Sequence, residues 1–197
     1  NVIRYEIPQQ VPAAINFKLG GFGETSNNGY LGSAVISLPI RMFAARLEGS
    51  YRKTADLKTP AGKLKNSDIE TKNLAGGLSL IQKWGFTGFS IREYQTDYGI
   101  PGGFVGAHPN GVDISMLKRN YTFKLHYKIE SKFLDHIDLD AARTYYKHTE
   151  YESPGVIGAE FRIINYNTYV NLIHNKTGIF SSGTFGASFE TRDFNIG

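Results

Sequence analysis

Apolar and polar residues alternate with a period of two along most of the chain. In Tyr121–Ile129, one side carries Tyr121, Phe123, Leu125, Tyr127 and Ile129, and the other Thr122, Lys124, His126 and Lys128. Successive side chains of a strand point to opposite faces, so this is a half-apolar strand. Ile15, Phe17 and Leu19 alternate with Asn16 and Lys18. Phe43, Ala45, Leu47 and Tyr51 alternate with Arg46, Glu48, Ser50 and Arg52. Phe185, Ala187 and Phe189 alternate with Thr184, Ser188, Glu190 and Arg192. The pattern predicts about nine strands, over 13–25, 29–38, 41–53, 69–82, 86–98, 113–130, 135–150, 157–174 and 179–194. Several exceed the usual length of about five or six residues. They are long enough to cross a bilayer at a tilt, which takes about 9–11 residues.

The connections carry a second signal. Pro39-Ile40, Lys83–Gly85, Glu130–Leu134 and Asn175–Gly178 are short, whereas Thr54–Asp68, Gly99–Val112 and Tyr151–Val156 are longer and polar. With the tight turn Thr25–Asn28 counted in the second set, the two sets alternate along the chain. Short turns on one rim and loops on the other are the mark of an outer-membrane barrel. Full charges on the polar strand faces suit a wet lumen better than a packed interior. The expected fold is therefore all-β: an antiparallel transmembrane β-barrel wall of about nine meandering strands belonging to a larger barrel. Residues 13–197 form one partial barrel domain. Residues 1–12 form a connector, since neither Pro8 nor Pro12 can donate a hydrogen bond within a central strand.

Composition changes this picture little. The 197 residues include 22 Gly, 12 Tyr and 13 Phe, the aromatics favouring strands and the glycines their curvature. Absence of Cys removes disulfides, thiolate metal sites, Fe–S clusters and cysteine nucleophiles together. No apolar run approaches the roughly 20 residues of a membrane-spanning helix. The mean hydropathy of −0.30 does not exclude a membrane barrel, whose strands are polar on one side. The net charge of +4 is spread along the chain, so no nucleic-acid partner is expected.

Several segments resemble the TonB-dependent outer-membrane receptors. Asn1–Pro8 resembles the exit from that family's plug domain, and Glu24–Gly29 the turn after its first barrel strand. Asn66-Ser67 with Lys72–Gly77 is similar to its fourth strand. Asp97–Gly102 and Arg119–Tyr121 resemble an external loop and descending strand of its zinc-uptake and related branches. Tyr146–Tyr151 with Gly155 and Phe161 resembles a further strand–loop–strand signature. The segments follow family order over essentially the whole chain. The resemblance implies a place in the bacterial outer membrane and energy-coupled uptake of a scarce ligand: a metal ion, a metal chelate or a cofactor molecule. The implied partners are outer-membrane lipid, a plug and further barrel strands not contained in these residues, periplasmic TonB, and the small ligand. The histidine-rich external loop of the zinc branch is reduced here to His108. The alternative is a small self-contained barrel of eight to ten strands, porin-like or a soluble lipid binder.

Candidate chemistry is sparse. Gly20-Gly-Phe-Gly23 lacks the third glycine and following helix of a dinucleotide fingerprint. His148 and Glu150 share a strand face and offer two metal ligands, with His108, Asp97 or the plug as source of a third. Asp138 and Asp140 also share a face, and read as lumen charges. The loop from Tyr98 to Asp113, with Pro101, His108 and Asn110, is the expected ligand-contacting loop. Trp84, Tyr51, Tyr98, Tyr145 and Tyr151 suit interfacial girdles or ordinary strand packing equally. No catalytic set is legible, so neither an enzyme nor a bound cofactor is expected.

Overall fold

The structure is a computed structural model and describes residues 6–104 and 108–197. In chain order the strands are β1 (Asn16–Glu24), β2 (Gly29–Ile40), β3 (Phe43–Thr54), β4 (Leu57–Thr59), β5 (Gly62–Leu64), β6 (Ile69–Gln82), β7 (Gly85–Ile100), β8 (Val112–Lys128), β9 (Leu134–Ser153), β10 (Val156–His174) and β11 (Gly183–Ile196). Nine of them form one antiparallel meander in the order β1-β2-β3-β6-β7-β8-β9-β10-β11, and β4-β5 is a separate hairpin. The sheet does not close on itself, so β1 and β11 each have one hydrogen-bonded neighbour. Among the described residues the sole helical turn is a 3-10 turn at Gly102–Phe104. No helix there is long and apolar enough to cross a membrane, a test that does not bear on crossing by strands.

The registers carry the two-residue period across the sheet. Phe17, Ile36, Leu47, Gly76, Ile91 and Tyr121 lie in one cross-strand row. One residue along, Ser37, Arg46, Gly77, Ser90 and Thr122 make the next row, on the other face. Phe43, Phe123, Leu125 and Phe185 share the apolar face, and Glu48, Lys124, His126 and Arg192 the polar one. Ile15 falls just before β1. The apolar face is bare: Leu19 is 73% exposed, Leu74 65% and Phe185 71%. One layer of sheet buries little by itself.

Three expected connections differ. The turn expected at Pro39-Ile40 falls at Arg41-Met42, because β2 runs on to Ile40, paired with Phe43. Tyr151–Val156 is no loop: β9 and β10 run on until only Pro154-Gly155 joins them, with Gly155 at φ 79°. Beyond the apolar belt β9 continues as Tyr151-Glu152-Ser153, without the alternation that announces a strand. The connection after β10 is longer than expected, 175–182, and holds a Thr177–Phe180 bridge. The remaining order holds. Arg41-Met42, Lys83-Trp84 and 129–133 lie at one end, and 25–28, 55–68 and 101–111 at the other.

The N-terminal segment is seated on the polar face. Glu6 and Ile7 are buried there, over Gly77 and Gly88. A Cβ on Gly77 would overlap the Glu6 carbonyl, and one on Gly88 would overlap the Ile7 side chain. Glycine at these two positions is what lets the backbone lie down.

Candidate functional site

The polar face carries three clusters, one at each height of the strands. At mid-height, Arg92 on β7 donates through Nε to Glu6 Oε1 (2.7 Å) and through Nη1 to Asn73 Oδ1 (2.7 Å), and its Nη2 pairs with Glu48. Arg46 donates to the other Glu48 oxygen at 3.3 Å. These groups are half-buried or buried, and each charge has a partner of opposite sign. Removing one partner from such a set costs about 3–5 kcal/mol, because it strands the other. The cluster fastens the N-terminal segment to the sheet.

Toward the long-loop end, His148 on β9 holds the Tyr146 hydroxyl at Nδ1 (3.1 Å) and Glu150 Oε1 at Nε2 (3.2 Å). Both ring nitrogens are thus engaged along one strand face. Asp97 does not complete a ligand set, since the register places it beside Ser115 on the opposite face. His108 lies in the connection before β8, where its carbonyl accepts from the Gly111 amide (3.0 Å). Among the described residues no third His, Asp or Glu joins His148 and Glu150 in a metal-sized group.

The loops at this end interlock. Asn66, at φ 57°, donates from Nδ2 to the carbonyls of Ile100 (3.1 Å) and Val112 (3.0 Å), clamping both ends of the 101–111 connection. The Ser67 amide donates to Asp56 Oδ1 (2.9 Å), and Lys63 Nζ lies 3.1 Å from the other Asp56 oxygen. The backbone hydrogen bond from Ser67, ahead of the Lys63 contact, holds the Asp56 carboxyl below the usual carboxylate range. Of the residues expected in a ligand loop, Pro101 and exposed Asn110 lie in this connection. Tyr98 does not: it is within β7, paired with Ile69 on the polar face, because β7 runs on to Ile100. The same placement removes Tyr98 from the girdle set. Tyr51, Tyr145 and Tyr151 lie on the apolar face. Residues 105–107 of the expected loop fall outside the described residues.

The third cluster, at the short-turn end, was not legible as a site. His126 on β8 and His136 and Asp138 on β9 bring three metal-ligand atoms within 4.8 Å of one another. Its signal was available in the register. A hairpin turning at 129–133 pairs His126 with Asp138 and sets His136 one step away on the same face. Asp140, which shares that face with Asp138, is ion-paired with Lys124 at 2.7 Å.

On the apolar face, a hollow of about 660 Å³ lies over Gly49 and Gly76, between Phe17, Ile36, Leu47, Leu74 and Ile91. Beyond the apolar belt toward the loops, the same face becomes charged and paired: Lys53–Glu70, Lys72–Glu70, Arg119–Glu93 and Lys147–Glu160. Aromatics stand at both margins, with Tyr30 against Tyr51 (6.0 Å) on one side and Trp84 against Tyr127 (5.6 Å) on the other. No protein-family model matches the chain, and no curated protein matches it.

Proposed function

We propose that this chain is a stretch of the wall of an outer-membrane receptor barrel, of the energy-coupled type that takes up a scarce small ligand. The observation that carries the reading is the bare apolar belt on one face of a nine-stranded sheet, backed at the same height by charged side chains on the other face. In water such a face is a liability of the first order, since soluble monomers rarely expose contiguous apolar patches beyond a few hundred Å². In a bilayer it is the surface that lipid requires. The aromatic margins and the ion-paired belt toward the loops agree with an apolar band bounded by two interfaces. The segment seated through Glu6 and Arg92 agrees with a chain that enters the wall from the lumen side. In this reading the interlocked 55–68 and 101–111 loops belong to the external vestibule, and TonB acts through parts of the receptor beyond these residues.

The test is single-cysteine labelling in native membranes with an apolar, bilayer-dissolved reagent. Phe123→Cys, Leu47→Cys and Phe185→Cys should react, and Lys124→Cys, Glu48→Cys and Arg192→Cys should not. Labelling of the second set instead of the first rejects the membrane wall.

A further inference from the structure

We propose that His126, His136 and Asp138 form a binding site for one divalent first-row transition-metal ion. The proposal needs only the pairing of β8 with β9, so it stands or falls independently of the membrane reading. His126 Nδ1 is 2.7 Å from Asp138 Oδ1, and His136 Nε2 is 3.4 Å from Asp138 Oδ2. The two imidazoles lie 4.7 Å apart between ring centres. An ion about 2.0–2.2 Å from each donor fits among atoms so spaced.

The surroundings are those of a held ligand set. A register shift on the β10 side of β9 sets Leu134 opposite His174 and His136 opposite Ile173, leaving Asp135 as the extra residue of a bulge. The Asp135 carboxylate reaches His136 Nδ1 at 2.6 Å. That hydrogen bond places the proton on Nδ1 and leaves the Nε2 lone pair toward Asp138, the usual carboxylate–histidine–metal arrangement. Bulges re-aim side chains in this way beside functional sites. On the other side, the Phe86 ring stacks on His126 at 5.9 Å and 16°, which fixes the plane of that imidazole. Binding through His126 Nδ1 puts its proton on Nε2, and the ion replaces the proton shared with Asp138. The charged neighbours on the same face are Lys128, paired in register with His136, and Lys124, already held by Asp140.

Two imidazoles and one carboxylate, with no thiolate, select Zn²⁺, Co²⁺, Ni²⁺ or Cu²⁺ over Ca²⁺ and Mg²⁺. Three protein donors leave one or more positions to water, so the ion is exchangeable.

The experiment is calorimetric titration with ZnCl₂ of the chain purified in detergent together with the barrel strands that complete its sheet, beside the His126→Gln/His136→Gln double variant, Asp135→Ala and His148→Ala. The expected result is a saturable Zn²⁺ site that the double variant weakens at least 100-fold and Asp135→Ala about 10–100-fold. His148→Ala should leave it unchanged. Circular dichroism confirms that each variant keeps its sheet. Zn²⁺ binding by the folded double variant equal to that of the parent overturns the proposal, as does a parent with no saturable binding below millimolar Zn²⁺. Should the double variant not fold, Cu²⁺ loaded at one equivalent on the parent decides the matter by electron paramagnetic resonance. Splitting from two imidazole nitrogens supports the site, and a spectrum of oxygen donors alone rejects it.

Discussion

Gly77 shows how much one missing methyl group decides. It lies at the centre of the polar face, where the carbonyl of Glu6 occupies the space a side chain would fill. Gly77→Ala forces that backbone off the sheet or strains it, at about 1–3 kcal/mol for overpacking. The expected outcome is an N-terminal segment that proteases remove faster, with the sheet's circular dichroism unchanged; equal digestion rates would show that the segment is not held there. Arg143 marks a second exception to the pattern. It is a charge on the apolar face, lying 5.9 Å from the Tyr121 ring and 5.8 Å from that of Tyr166, whose hydroxyl accepts from its Nε at 3.1 Å. Two aromatic faces and a hydroxyl give the guanidinium the partners that hydrocarbon would deny it. Its companions come from β8 and β10 and appear only once the registers are known.

The hairpins were legible wherever one face was apolar. Phe123, Leu125 and Tyr127 against Lys124, His126 and Lys128 fix both the strand and its facing, because a slip of one residue would exchange the two faces. Where the alternation stops the signal vanishes, as at Tyr151–Ser153 of β9, where the sequence predicts a loop and the structure has a two-residue turn. The metal-sized cluster was hidden for a related reason: its members are ten and two residues apart, and the bulge at Asp135 leaves no mark in composition. Loop anchoring was equally silent, although Asp56 and Ser67 make its pH behaviour predictable. A carboxylate held below its ordinary value stabilises the 55–68 loop fully above about pH 4, and loses that contribution as pH falls through its lowered value. Protection of the Ser67 amide, corrected for intrinsic exchange, should therefore drop on acidification below that point. In Asp56→Asn it should already be low at pH 7. Protection that stays level across this range would show that the loop is held elsewhere.

Across the molecule, the unpaired edges of β1 and β11 dominate. Each presents a row of N–H and C=O groups, and in hydrocarbon each such group costs several kcal/mol. Residues 1–197 alone should therefore aggregate in detergent and give no sharp heat-modifiable band on gels. A discrete folded band would show that the edges meet and would favour a small closed barrel.

The attachment of the N-terminal segment also decides where mechanical load goes. A pull arriving along the backbone from the N-terminal side meets the Glu6–Arg92 ion pair before it reaches Pro12 and β1. Arg92 belongs to β7, which is flanked by hydrogen-bonded neighbours on both sides, whereas β1 has one. Tension is thus taken up first by a strand that is paired on both sides. The strand that would peel most easily stays slack until the ion pair breaks.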